Sequence, residues 1–157
     1  MKQLSILILI IAATLSGCDQ NYVFEKNVAL KERQWEHNEP IQFTVEIDDT
    51  TAVYDLALNV RHTDAYPYTN LWVEITTEYP SGQTGTREEQ VILGNNTRQV
   101  WLGDCMGDIC DRQGKIVEGV RFSEEGEYKF TVQHIMRTDP LDHVMAVGMR
   151  LEKHAQQ

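Results

Sequence analysis

The residues through which this 157-residue chain could do chemistry are three cysteines, five histidines and one tyrosine-rich segment. Cys105 and Cys110 bracket Met-Gly-Asp-Ile. On a straight strand their Cα atoms would lie roughly 16 Å apart, past the ~7 Å limit for a disulfide. A reversal at Gly107-Asp108 would bring them together, and a disulfide closing this small loop would contribute about 2 kcal/mol. Zinc needs four ligands, and neither a second cysteine pair nor a His-x3–5-His follows, so no metal site is expected. The redox spacing C-x-x-C is absent as well. Asp104, Asp108 and Asp111 crowd the same loop without the alternating aspartates of a calcium loop, and read as a solvated acidic turn.

Arg61-His62-Thr63-Asp64, followed by Tyr66-Pro67-Tyr68, joins a titratable imidazole, a fixed cation and two aromatics with polar ends. Interfaces often have this makeup, so Arg61, His62, Tyr66 and Tyr68 form a candidate partner-docking loop. The same residues also fit a strand connection in which Pro67 sets the turn and both tyrosines cap the core. Beyond residue 17 the serines are Ser81 and Ser123, and neither sits in G-x-S-x-G or S-x-x-K. The acidic pairs Asp48-Asp49, Glu88-Glu89 and Glu124-Glu125 are sequence neighbours, which point to opposite faces of a strand. No catalytic residues are assigned, and no enzyme is expected.

Cys18 is a different matter. The chain opens with Met1-Lys2-Gln3 and runs from Leu4 to Ala13 with Ser5 as its one polar residue; small residues follow to Gly17. A basic start, a short apolar stretch and a small-residue exit are the layout of a secretory signal peptide. The stretch is well short of the ~20 residues a membrane-spanning helix needs. Leu15-Ser16-Gly17-Cys18 matches the bacterial lipobox. That match implies cleavage after Gly17, a diacylglyceryl group on the Cys18 sulfur and an acyl chain (palmitate or similar) on the new amine. One acyl chain holds a protein only marginally, and two or more hold it stably. Membrane lipid is thus the first expected partner, and no cofactor beyond this covalent lipid is expected.

Residues 18–157 carry 13 basic against 24 acidic residues, because the leader contains one Lys. Such a charge balance repels nucleic acid, whose binding needs clustered Lys and Arg. The elements that position these residues read as strands. Ile41 to Ile47 alternates apolar and polar without a fault, and the pattern resumes over 53–60, 71–77, 87–93, 99–102, 116–122, 128–135 and 144–151. Asp48-Asp49-Thr50, Pro80-Ser81-Gly82, Gly94-Asn95-Asn96 and Gly114 read as turns. Within 144–151, Met145, Val147, Met149 and Leu151 share a face. The expected fold is all-β, an antiparallel sandwich of jelly-roll or immunoglobulin-like type. Its expected division is a signal peptide over 1–17, a lipidated N-terminus and tether over 18–39, and one sandwich domain over 40–157.

Tyr54 to Trp72, with Arg61-His62-Thr63 and Tyr66-Pro67-Tyr68-Thr69-Asn70-Leu71-Trp72, resembles the gliding-motility lipoprotein GldH family of the Bacteroidota. Trp101-Leu102-Gly103 with Gly107-Asp108-Ile109 agrees. So do Gly126-Glu127-Tyr128, Gln133-His134-Ile135-Met136-Arg137 and Val147 to Lys153. The resemblance implies a lipid-anchored accessory or scaffold component of the gliding and type IX secretion machinery, docking onto other envelope proteins. Asp19 would mean inner-membrane retention under enterobacterial sorting rules, which need not hold in this phylum. The periplasmic side of the outer membrane is the expected location. Cys105 and Cys110 depart from the family pattern, so a chemistry essential to the family does not reside in that pair. A second expectation is a carbohydrate-binding or carbohydrate-processing sandwich with Trp72, Trp101, Tyr66 and Tyr68 as stacking platforms. Exposed coplanar rings would favour it, and buried rings would dismiss it.

Overall fold

The structure, a computed structural model, describes residues 22–155. Its strands follow the period-two segments. β1 (Tyr22–Ala29) leads through a 3-10 turn (Lys31–Arg33) to β2 (Gln34–Trp35), β3 (Ile41–Ile47), β4 (Tyr54–Thr63) and β5 (Asn70–Glu78). There follow β6 (Thr84–Ile92), β7 (Gly94–Asn95), β8 (Val100–Trp101), β9 (Asp104–Met106) and β10 (Ile109–Val120). β11 (Gly126–His134), β12 (Leu141–Asp142) and β13 (Val144–Lys153) complete the chain.

Two antiparallel sheets form the sandwich, one ordered β1-β13-β4-β10-β9 and the other β3-β11-β5-β6. β2/β12 and β7/β8 form two further short ribbons. Where alternation is strict, burial alternates with it: Ile41, Phe43, Val45 and Ile47 of β3 point in, and the residues between them point out. Tyr128, Phe130 and Val132 of β11 do the same opposite them. The inner faces meet in one core built on Phe43, Leu58, Leu71, Ile75, Tyr128, Met149 and Leu151.

Three readings of the sequence are corrected. Residues 22–39 are not a tether. β1 pairs with β13 along its length, from Tyr22 opposite Glu152 to Ala29 opposite Ala146. β2 pairs with β12 and buries Trp35 completely. The polar centre of β1, Glu25-Lys26-Asn27, hides the strand pattern; charge on an edge strand, here Glu25 and Lys26, is a common guard against unwanted pairing. Gly114 is not a turn but the middle of β10, and it is buried. Met145 is only half-buried, because the β13–β4 register shifts between Val144 and Ala146 and turns Val144 inward in its place.

The strand directions define two poles. Tyr22, Tyr54, Val120 and Lys153 share one end of the larger sheet, and Ala29, Thr63, Ile109 and Val144 share the other. Lys153 pairs with Asp49 just beyond the end of β3, and the rings of Tyr54 and Tyr128 both pack on Phe122. The C-terminal end of β3 and the start of β11 therefore lie at the Tyr22 pole, and His134 lies at the far one.

Candidate functional site

The Arg61–Tyr68 segment ends β4 at the far pole. Arg61 is exposed there and donates to Asp111 through both Nε (2.7 Å) and Nη2 (2.9 Å), its register partner on β10. This bond to Asp111 raises the guanidinium above its ordinary value. His62 is fully buried. Its Nδ1 lies 2.8 Å from the Thr63 carbonyl and donates to it, and its ring packs on Tyr66 and Trp101. Burial pushes the imidazole below the ordinary histidine value. Tyr66 is 3% exposed, donates its hydroxyl to the Asn70 carbonyl (3.1 Å), and burial pushes its phenol up. Tyr68 is half-buried, edge-on to Tyr66, with its hydroxyl 3.1 Å from Thr138 Oγ1.

The candidate docking loop thus divides. His62 and Tyr66 are core residues closed to a partner; Arg61 and Tyr68 remain reachable. Backbone bonds from Tyr66 N–H to the Thr63 carbonyl and from Asp64 N–H to the Asp108 carbonyl tie the loop down. The second of these bonds lands on the hairpin that carries the cysteines. There Gly107 takes a positive φ of 62° at the first position of a two-residue turn, setting Cys105 opposite Cys110 across β9 and β10. The two sulfurs are bonded, S–S 2.01 Å.

Of the four rings offered as a sugar platform, Tyr66 is buried and Trp101 is wedged over His62. Trp72, 39% exposed, lines a shallow groove of about 240 Å³ with Tyr68, Asn70, Ile135, Met136 and Arg137. A polar groove of about 400 Å³ crosses the outer face of the larger sheet between Glu25, Asn59, Arg61, Asp111 and Gln113.

One cluster escaped the sequence reading. His37, His134 and Asp139 converge at the far pole, with one ligating atom of each within 4.8 Å of the others. His134 is fully buried, its ring tilted against His37 (4.1 Å between centroids, planes inclined at 38°) and against Trp35 (5.2 Å). Burial pushes its imidazole down to about 4, reinforced by the neighbouring His37 and opposed by Asp139. The signal was present in the chain: the alternation of β11 puts His134 at the same inward parity as Tyr128, Phe130 and Val132. Asp139 follows five residues later, but His37, which completes the cluster, lies 97 residues upstream, beyond any spacing rule.

Fold and site together define a two-sheet antiparallel sandwich whose far pole carries the cystine hairpin, the His62–Tyr66–Trp101 ring cluster and the His37, His134 and Asp139 side chains. Cys18 lies outside the described residues. No helix among the described residues is long and apolar enough to cross a membrane. The chain belongs to the GldH lipoprotein family, whose model matches residues 22–151. It is 31% identical over 147 residues to the gliding motility lipoprotein GldH homolog of Christiangramia forsetii, covering 88% of both chains. It is 28% identical over 156 residues to the gliding motility lipoprotein GldH of Flavobacterium johnsoniae, covering 94% of both. Solved structures with similar strands include a β-fructofuranosidase from Schwanniomyces occidentalis (12% identity, 87% of this chain and 35% of that one, TM-score 0.41). Another is a family GH115 4-O-methyl-α-glucuronidase (9% identity, 88% and 18%, TM-score 0.44).

Proposed function

We propose that this chain is a noncatalytic, lipid-anchored accessory protein of the gliding-motility machinery and, through it, of type IX secretion. Its expected place is the periplasmic face of the outer membrane. The observation that carries the reading is the family match over residues 22–151, together with relatives that bear the gliding-motility name across nearly their whole length.

The domain boundary changes how such a protein would work. With β1 starting at Tyr22, three residues separate the fold from Cys18. At ~3.5 Å per residue the start of the sandwich would lie no more than about 14 Å from the Cα of an acylated Cys18. The Tyr22 pole would then lie against the lipid head groups, and the pole bearing Arg61, Tyr68 and Trp72 would face the periplasm and other envelope proteins. The acyl chains set position, and the far pole makes the contacts. Net acidity suits this stance, since it keeps the body of the domain off anionic head groups.

The test is metabolic labelling with a palmitate analogue, followed by crosslinking in intact cells and affinity purification. The native lipoprotein is expected to carry label, sediment with membranes and capture envelope proteins of the motility apparatus. A Cys18→Ala form is expected to lose all three. An unlabelled native chain, or a Cys18→Ala form that stays on the membrane with the same partners, would refute the anchoring.

A further inference from the structure

We propose that His37, His134 and Asp139 form a binding site for a divalent first-row transition ion of the zinc class. His37 Nε2 lies 3.1 Å from the Met136 carbonyl and must donate to it, which leaves the Nδ1 lone pair turned toward Asp139. Metal-bound histidines characteristically donate their second ring N–H to a carbonyl or carboxylate in this way. His37 Nδ1 stands 3.8 Å from Asp139 Oδ2, and His134 Nε2 stands 3.7 Å from Asp139 Oδ1. Both distances are too long for hydrogen bonds. They run to the two different oxygens of Asp139; one ligating atom from each residue falls within 4.8 Å of the others, so the side chains must draw in toward the ~3.4 Å of a tetrahedral site with ~2.1 Å bonds around an ion.

The second observation is His134 itself. Both ring nitrogens are buried, and neither has a hydrogen-bond partner. A buried imidazole without partners is costly unless something satisfies it. The remaining groups are held in place before any ion arrives. Asp139 Oδ1 accepts from the His37 backbone N–H at 2.9 Å, which aims the carboxylate, and Gln133 Nε2 donates to the His37 carbonyl at 2.6 Å. The β2/β12 ribbon, fastened by Gln34 Nε2 to Asp142 Oδ1 (2.7 Å), brings the His37 turn beside Asp139.

Ligand chemistry selects the ion. Two imidazoles and one carboxylate suit zinc and its first-row neighbours, whereas calcium and magnesium take sites built from oxygen. The side chains of His37 and Asp139 are 39% and 44% exposed, so an ion can enter from solvent and keep a water as its fourth ligand. Because the three ligands come from β2/β3, the end of β11 and the β11–β12 connection, a bound ion would clip the N-terminal ribbon to the smaller sheet.

The test titrates zinc into the detergent-purified lipoprotein after chelator treatment, in competition with a chromophoric chelator, with thermal unfolding followed in parallel. One zinc per chain is expected, with a rise in the unfolding midpoint and little competition from calcium. His134 is in the core and its replacement endangers the fold, so the exposed ligands carry the comparison. His37→Gln and Asp139→Asn should each weaken zinc binding at least tenfold and abolish the midpoint shift while leaving the zinc-free midpoint nearly unchanged. Absence of stoichiometric binding, equal affinity in both variants, or displacement by equimolar calcium would each overturn the site.

Discussion

The imidazole of His62 meets the indole of Trp101 edge to face, with centroids 4.6 Å apart and planes inclined at 63°. The ring is sealed there between β4, the Tyr66 loop and Trp101, and burial holds it below its ordinary value of 6.5 despite the Thr63 carbonyl and the charge of Asp111. The unfolded chain therefore takes up a proton at His62 that the folded chain refuses. Stability is fully present above about pH 6.5 and is lost as pH falls toward the folded-state value. The urea midpoint of the native protein should fall as pH drops below about 6.5. His62→Gln, less stable at neutrality, should fall less steeply over that range. Parallel slopes for the two proteins would mean that His62 does not titrate with unfolding.

At Gly114 the two sheets approach so closely that a Cβ would stand 2.6 Å from Cγ1 of Val91 on β6. Val91 is buried and β-branched, so it cannot swing aside. Gly114→Ala should cost about 1–3 kcal/mol, the range for overpacking a filled core. Val91→Ala should couple favourably with it, so that the double variant is more stable than the sum of the two single losses. Denaturant titration of the four proteins in that cycle measures the coupling directly, and strict additivity would show that the side chains do not meet.

The same glycine shows what could be read from the chain and what could not. Period-two alternation located β3, β5, β11 and the body of β13, because each has one face in the core and one in water. It failed where one residue serves two rules. Gly114 has the composition of a turn but sits where the sheets allow no side chain. Tyr22–Ala29 carries charge at its centre because an edge strand has one neighbour and an exposed flank. At the far pole, burial divides the Arg61-to-Tyr68 segment into packing, at His62 and Tyr66, and surface, at Arg61 and Tyr68. His37 and Asp139 were invisible because 102 residues separate them. Only folding makes them neighbours.

Asp55 fixes the Tyr22 pole. Its carboxylate is nearly buried and accepts from Gly119 N–H (3.0 Å), Lys115 Nζ (3.3 Å) and His154 Nδ1 (2.7 Å). Burial alone would raise this carboxyl; the bonds from Gly119, His154 and Lys115 outweigh it and hold the group below its ordinary value. Its contribution is therefore present above the carboxylate range and is lost as pH falls through the folded-state value. Asp55→Ala should cost about 2–3 kcal/mol at neutral pH, from charge-assisted bonds lost and a Gly119 donor left unpaired. Hydrogen exchange should report the loss first at the C-terminal end of β13. Unchanged protection there would separate Asp55 from the closure of this pole.

The Cys105–Cys110 bridge spans a hairpin whose register is already set by the Gly107-Asp108 turn and by the Asp64 N–H bond to Asp108. The loop it closes is short, so replacing both cysteines with serine should cost about 2 kcal/mol or less. The larger sheet should survive, because β10 keeps its full pairing with β4. Alkylation and mass spectrometry of the exported protein before reduction should find no free thiol at either position. Two alkylated cysteines in that sample would exclude the bridge.

With β1 and β2 part of the fold, the minimal domain begins at residue 22. A chain starting at residue 40 would lack Trp35, which is fully buried and donates its indole N–H to the Glu39 carbonyl (3.0 Å). It would also lack Phe24, whose ring meets Phe43 edge to face at 6.5 Å across the two sheets. Loss of one such aromatic costs ~3–5 kcal/mol, and a domain of this size holds only ~5–15 in total. Removing β1 would further leave β13 as an unpaired edge beside the centre of the larger sheet. The chain from residue 22 is therefore expected to unfold cooperatively and remain monomeric. The chain from residue 40 is expected to aggregate or to lose a cooperative transition in calorimetry. A cooperative, soluble 40–157 fragment of comparable stability would return β1 and β2 to the status of a tether.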